Sequence, residues 1–464
     1  MRAFCFLFFP IAALSWTCSK DLVTTDPEDR LAFSTDTLTF DTVFTTLGSA
    51  TRYFTVRNPH ERSIRISKLW LASGSQSPFR LNVDGQPAIE LHDLEIPAGD
   101  SIYVFVAVTI DPTEENNPFV IYDSLLFETN GNIQRVTLQA WGQNAHFFYG
   151  QIVGTQDWYN DKPYVIIHSI LVDTNAILTI HAGCRIFLHA DSRFYVAGTL
   201  RVLGQKGDSV VFRGDRLESY FVDLPGNWQG IHFLKTSKDN FIEYAIIKEA
   251  IVGIRVDSLK VTAAPKLTLR NSIIRLTLSS GLLGVTADIY AENCLIHSCG
   301  EWNVQLEYGG NYEFQNCTFA NASTVVTQHQ KPVLRMSNYY YYRDETGDHY
   351  KLSDLQAVFG NCIIWGTLQN EVDRDAKAGA SFSYSFRNCL LQLADTVNIN
   401  QPSFVNILKN KNPLFVAPDY EKQNYRLQAQ SPCINAGYDN GITSDLDGQS
   451  RIPPPDIGCY EYHE

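Results

Sequence analysis

Two stretches of this sequence gather side chains that could move protons or hold a cation. Asp373-Arg374-Asp375 sets two carboxylates around a guanidinium, and the run from Arg343 to His349 adds Asp344, Glu345 and Asp348. Elimination on a sugar needs clustered acidic calcium ligands and a basic residue poised to take a proton. Inverting hydrolysis needs acidic residues that face one another across the sugar. Both stretches read as loops, where charged side chains ordinarily meet only water, so no catalytic residue is assigned. Asp445-Leu446-Asp447-Gly448 has the composition of a calcium loop but lacks the twelve-residue frame and its closing Glu. Pairing with Arg451 is the simpler expectation for these carboxylates. The histidines are scattered and the cysteines show no CxxC clustering, so no metal or cofactor is expected.

Tyr339, Tyr340, Tyr341 and Tyr342, followed by Arg343, offer contact rather than catalysis. On a strand their rings fall on both faces. Large rings with polar tips suit a protein interface or the stacking of a sugar. These five residues are the candidate partner-binding group. Packing of half the rings against the body of the protein is the structural alternative.

The elements that position these groups follow from a repeated phrase. An aromatic or leucine is followed closely by Asn, then Cys or Ser, then apolar residues. The asparagines are Asn271, Asn293, Asn316, Asn361 and Asn388, at steps of 22, 23, 45 and 27 residues. A period in the low twenties with strand-like units marks a solenoid. The step of 45 reads as two turns of chain, and Thr324 to Leu355 as a loop or hairpin thrown out from one coil. Asn suits a left-handed corner, and stacked Asn side chains can bond to one another along the axis. The pattern predicts a right-handed parallel β-helix over residues 143–464. Cys294, Cys317, Cys362 and Cys389 share one place in the repeat and are expected to stack as buried free thiols. A disulfide between Cys433 and Cys459 is left open.

The repeat resembles the coils of the pectate-lyase-like β-helix superfamily, as do Leu178-Thr-Ile180-His-Ala-Gly183 and Val196-Ala-Gly198-Thr-Leu200. The Asn-Thr-Asp, Asp-Asp, Gly-His-Gly and Arg-Ile-Lys phrases of polygalacturonase-like families are absent. Residues 412–464, with Ser431-Pro-Cys433-Ile-Asn435-Ala-Gly437 and Asp456-Ile-Gly458-Cys459, resemble a C-terminal motif of secreted bacterial β-helix proteins. That resemblance implies a cap that finishes the solenoid.

Before the solenoid, residues 31–142 alternate apolar and polar, for example Ile102, Val104, Val106 and Val108. Breakers between the runs include Asn130-Gly131, a hairpin signal. About seven short strands in an antiparallel sandwich are expected. The phrases Phe54-Thr-Val56-Arg-Asn58 and Val136-Thr-Leu138-Gln-Ala-Trp141-Gly142 resemble Ig-like domains of the ASPM–SPD-2–Hydin type, which implies a spacer or binding module. The whole chain is therefore expected to be all-β.

Residues 1–17 read as a secretory signal, and Cys18 directly after them resembles the lipidated cysteine of bacterial lipoproteins. Lys20 and Asp21 are similar to a short tag that sends such proteins to the outer face of the outer membrane. Residues 18–30 are expected to be a flexible tether. A net charge of -13 excludes nucleic acid as a natural partner. The expected protein is a non-catalytic, lipid-anchored outer-membrane scaffold that faces the cell exterior and binds another outer-membrane or extracellular protein. A glycan-binding or glycan-cleaving lipoprotein is the other reading. It requires an acidic, aromatic-lined cleft with a Lys or Arg opposite carboxylates.

Overall fold

The computed structural model describes residues 22–111, 119–218 and 220–463. Cys18, Lys20, Asp21 and the signal lie outside the described residues. The chain divides into two compact units, Met1–Gln143 and Asn144–Glu464. None of the described helices is long and apolar enough to cross a membrane.

The first unit is a sandwich of two five-stranded sheets. Alternation drives it: Ile102, Val104, Val106 and Val108, with Phe54 of the same sheet, share one sealed core with Ile66, Leu125 and Phe127 of the other sheet. Asn130-Gly131 turns Phe119–Thr129 into Asn132–Gln143, as its left-handed dihedrals require. The strands pair antiparallel except that Thr37–Phe44 runs parallel to Asn132–Gln143, and a lone parallel bridge joins Val23 to Ser63. Among the described residues ten strands form rather than about seven. Ala32–Phe33 and Gln86–Ala88 are too short to show a pattern, and Glu90–Ile96 buries little. Within the expected tether of residues 18–30, the part from Thr24 onward is bonded to the first unit. The Thr24 amide donates to the Ser63 carbonyl at 2.8 Å, and Asn130 and Asn132 donate to the carbonyls of Asp29 and Pro27.

Among the described residues the second unit is built on one continuous sheet of 26 strands wound as a parallel β-helix. Each strand pairs in register with the strand one coil onward, so a residue type recurs as a column. Phe314, Phe359, Phe386 and Phe404 stack with ring centroids 5.2, 4.8 and 5.6 Å apart. Ala291 holds this place one coil earlier, so Tyr290, the aromatic of the second repeat, points outward. Asparagine occupies the left-handed corner, with φ of 47° to 54° at positions 271, 293, 316, 361, 388 and 406. Asn293 Nδ2 donates to Asn271 Oδ1 at 3.2 Å, and Asn361 Nδ2 to Asn316 Oδ1 at 3.4 Å. Asn406 extends the column by one coil beyond the expected five.

The step of 45 residues is a single coil, not two. Thr318–Ala320 pairs directly with Ile363–Trp365, and the second half of Val304–Gln315 pairs directly with Leu355–Gly360. This one coil carries a loop over 321–333, the wall strand Leu334–Ser337 and the hairpin Tyr339–Asp344/Gly347–Leu352.

Cys294, Cys317, Cys362 and Cys389 follow the asparagines into the core, each Sγ donating to a carbonyl of the preceding coil. All eight described cysteines are free and buried, Cys433 and Cys459 included. Thiols sealed this way do not react. Thiol titration with Ellman's reagent is therefore expected to find eight more reactive groups in denaturant than in the native protein. Even two of them reacting natively would show the column to be open.

The C-terminal segment lies along the side of the coils rather than over their end. Phe415, Tyr425, Leu446, Ile457 and Cys459 cover an outer apolar strip made by Leu295, Ala320, Ile363 and Leu390. Its polar groups bond to the asparagine corners. Asn293, Asn361 and Asn388 donate to the carbonyls of Ser444, Tyr438 and Ala436, at 2.8, 2.8 and 2.9 Å. The coil ends are closed by other residues: Phe148 beside Trp158 at the start, and Val397, Ile399 and Ile407 at the finish. A strip that seals the side of a sheet has the same composition as one that seals its end, so the sequence did not separate the two.

One buried charge sets a pH dependence. Lys266 is 1% exposed, and its Nζ donates to the Lys235 carbonyl at 2.8 Å and to Ser258 Oγ at 3.2 Å. Burial pulls its pKa down from 10.5 to about 8. The folded pKa lies below the unfolded one, so the unfolded chain binds more protons between them, and stability rises with pH across that window. Raising the pH from about 7.5 to about 9.5 should contribute on the order of 2 kcal/mol through this group. Buried thiols and phenols, with raised pKa values, work the other way. The difference in urea midpoint between wild type and Lys266→Met isolates the lysine. A difference that stays constant with pH would remove it as the cause.

Candidate functional site

One wall of the β-helix carries the charged group that the sequence placed in loops. Val304, Leu334 and Val372 point inward in register, so Gln305, Arg335 and Asp373 point outward, followed two residues on by Glu307, Ser337 and Asp375. Asp373-Arg374-Asp375 is thus on a wall strand, Val372–Asp375, and not in a loop. Arg374 turns the other way, and its Nη1 donates to Tyr384 Oη at 2.9 Å.

Arg335 is the hub of this face. Its Nε donates to Glu307 at 2.7 Å, its Nη1 to Asp373 and its Nη2 to Asp375 at 3.2 Å. The guanidinium also lies 5.8 Å from the Trp302 ring. Hydrogen bonding to Glu307 and the charges of Glu307 and Asp373 outweigh burial and hold the guanidinium even more firmly protonated than usual. Such a group cannot take a proton from a sugar carbon. The components named for a carbohydrate cleft are present, but Arg335 is bonded directly to all three carboxylates.

The tyrosine hairpin stands on this hub. Tyr339 Oη donates to Asp375 Oδ2 at 2.5 Å, a bond that pushes the phenol up to about 12. Buried Asn338 fixes the hairpin's root. It donates to the carbonyls of Lys377 and Ala380 at 3.0 and 3.1 Å, and the Lys377 amide donates back at 2.8 Å. The Ser353 amide closes the root on the Asn338 carbonyl. Above it the strands pair antiparallel from Tyr339↔Leu352 to Asp344↔Gly347. Tyr340, Tyr342 and His349 share one face, and Tyr339, Tyr341 and Tyr350 the other. Lys377 Nζ sits 4.7 Å from the Tyr350 ring.

Of the four consecutive tyrosines, Tyr339 is hydrogen-bonded to the wall, and the Tyr340 ring lies beside Tyr308 of the wall with centroids 6.2 Å apart. Tyr340, Tyr341 and Tyr350 are 54, 46 and 46% exposed. Arg343 is exposed near the tip and lies 3.6 Å from Asp348. The hairpin therefore presents aromatic surface on two faces, in a conformation fixed before any partner arrives.

No protein-family model matches the chain, and no curated protein matches it. Among solved structures it is similar to pectate lyase Pel9A, at 12% identity over 69% of this chain and 88% of that one, with a TM-score of 0.31. A second is the ASH/PapD-like domain of human CEP192, at 12% identity over 31% of this chain and 96% of that one, with a TM-score of 0.17. A third is the VesB protease of Vibrio cholerae, at 17% identity and a TM-score of 0.18. That match takes in 24% of this chain and spans about a third (31%) of the protease. Likenesses at this level say nothing about what the chain binds or transforms.

Reading the sequence missed Trp302, Glu307, Arg335 and Lys377 as parts of the site. A signal was present: Gln305-x-Glu307, Arg335-x-Ser337 and Asp373-x-Asp375 share a strand spacing, each after an inward Val or Leu. Their adjacency needs the register, and the swollen coil between them hid it. The C-terminal carboxylates also divide differently from expectation. Arg451 pairs with Glu461 at 2.9 Å, while Asp447 takes both Nε and Nη2 of Arg426, at 2.6 and 2.8 Å.

Proposed function

We propose that this chain is a non-catalytic surface lipoprotein whose tyrosine hairpin docks another outer-membrane or extracellular protein. One observation carries the reading: half-exposed tyrosines on a hairpin whose root is locked by Asn338, Tyr339 and the Arg335 hub. Aromatic anchors held in a fixed conformation are what a protein interface uses, since little side-chain freedom is lost on binding. Lipid on Cys18 and the Lys20-Asp21 tag would hold the chain at the outer face of the outer membrane. The first unit, with its Ig-like resemblance, would serve as spacer.

A second reading, binding or cleavage of a polysaccharide, draws on Arg335 set among Glu307, Asp373 and Asp375. Against it stands the direct bonding of that arginine to every carboxylate around it. The test is affinity capture from detergent-solubilised membranes, comparing wild type with a variant in which residues 339–352 are replaced by a short Gly-Ser link. Capture of a defined protein by wild type alone supports the proposal. Equal capture by both chains removes the hairpin from the interface.

A further inference from the structure

The tyrosine hairpin leaves strand edges open. Its two strands form a sheet of their own, and among the described residues neither pairs with a third. The Ser353 amide donates to the Asn338 carbonyl at the root, and bonding in an antiparallel ribbon falls on every second pair. Tyr340 therefore bonds to Lys351, Tyr342 to His349 and Asp344 to Gly347. Tyr339, Tyr341 and Arg343 turn their main-chain amides and carbonyls outward from one edge, and Asp348, Tyr350 and Leu352 from the other. Ser337 Oγ donates to the Tyr339 carbonyl at 3.3 Å. The first edge thus offers the main chain of Tyr341 and Arg343 to another strand.

Open edges invite foreign strands, and proteins block them by short length, Pro, charge or a bulge. The sandwich edges of this chain are blocked in those ways. Ala32–Phe33 is two residues long, Gln86–Ala88 holds Pro87, and Glu90–Ile96 carries three carboxylates. Thr37–Phe44 breaks register and pairs Asp41 with Arg52. The first strand of the solenoid, His146–Val153, bulges at Gly150. The hairpin's own second strand, Gly347–Leu352, carries Asp348, His349 and Lys351. Tyr339–Asp344 differs from all of these. It pairs without a bulge, contains no Lys, Gly or Pro, and opens with four tyrosines, a residue of high strand propensity. Its charges, Arg343 and Asp344, stand only at the tip.

We infer that the partner docks by strand addition: an extended segment of the partner protein pairs with the open edge of Tyr339–Asp344 as a third strand. This rests on the hairpin reading above and names what the hairpin receives. Unpaired amides and carbonyls in an extended strand are complementary to another extended main chain, which sets the chemistry of the occupant. Bonds to Tyr341 and Arg343 hold the segment. Its alternate side chains lie beside Tyr340 and Tyr342 on one face and beside Tyr339 and Tyr341 on the other. Aromatic and β-branched residues are the best cross-strand neighbours for such rings, so the segment is rich in them. A two-stranded ribbon is marginal in water, and a third strand stabilises it. The root held by Asn338 lowers the cost of ordering the edge.

Backbone esters in the full chain test this. Replacing Tyr341 by its α-hydroxy acid keeps the ring and removes only the outward amide. The same exchange at Tyr350, its cross-strand partner, acts on the opposite edge. Each ester also weakens one carbonyl inside the ribbon, that of Tyr340 or His349, so the two differ in the edge they alter. Capture from detergent-solubilised outer membranes should fall about tenfold for the Tyr341 ester and less than about twofold for the Tyr350 ester. In the captured complex the Arg343 amide should exchange at least about tenfold more slowly than in the free chain, and the Asp348 amide at its free rate. Full capture by the Tyr341 ester, or equal loss from both esters, overturns strand addition. The hairpin reading survives that result if replacing residues 339–352 by the Gly-Ser link still abolishes capture. Equal capture by wild type and the Gly-Ser variant overturns both. Recovery of a second copy of this chain as the bound strand overturns the assignment to a partner.

Discussion

Replacing Arg451 with alanine is expected to lower the unfolding free energy by about 3–5 kcal/mol, the usual result of leaving a buried charge without its partner. The Arg451 side chain is 1% exposed. It donates to Glu461 at 2.9 Å, to Asn293 Oδ1 at 2.8 Å and to the Gly458 carbonyl at 2.9 Å. Glu461 is also buried, and burial together with neighbouring Asp456 already pushes its pKa up. Without the guanidinium, Glu461 must take up a proton or draw water into the seam. Loss of the bond to Asn293 also frees the asparagine column from the segment that covers it. The outer apolar strip of Leu295, Ala320, Ile363 and Leu390 would then open to solvent. Denaturant midpoints measure the loss, and limited proteolysis locates it. Cleavage should appear within residues 410–463 before any cut in the coils. A variant as stable and as protease-resistant as wild type would mean that the segment is held by its apolar contacts alone.

The second large effect belongs to the hairpin. Tyr340→Ala, Tyr341→Ala and Tyr350→Ala together should weaken partner capture by about 100-fold or more, since central aromatic anchors each contribute about 2 kcal/mol or above. Stability should change little, because these rings are about half exposed and the root does not depend on them. Asp375→Asn acts differently. It weakens the acceptor of the Tyr339 hydroxyl and one of the three partners of Arg335. The tyrosines remain but are less well held, so capture should fall by about tenfold or less, with faster amide exchange across Tyr339–Leu352. If the triple variant keeps full capture while Asp375→Asn loses it, the interface lies on the Arg335 wall and not on the hairpin.

What the sequence disclosed and what it hid follow from the range of each interaction. Alternation such as Ile102, Val104, Val106 reports a strand because the period is local. The asparagine corners and the buried thiols behind them were legible for the same reason: each unit repeats its own short-range demand. The count of coils was not, because a 45-residue step is ambiguous between two plain turns and one turn with an excursion. Only the pairing of Thr318 with Ile363 decides that. Arg335 escaped notice because its three carboxylates come from positions 28 to 40 residues away. The C-terminal segment reads from sequence as an end cap, since its apolar residues suit either an end or a side. Which one they cover depends on contacts such as that of Arg451 with Asn293, 158 residues apart.

The most direct measurement is photo-crosslinking in intact membranes from a benzophenone amino acid placed at Tyr341, with Tyr53 of the first unit as the exposed control. The hairpin reading predicts one discrete protein adduct from position 341, lost in the Tyr340→Ala, Tyr350→Ala background and absent from position 53. No adduct from position 341, or the same adduct from both positions, would contradict it.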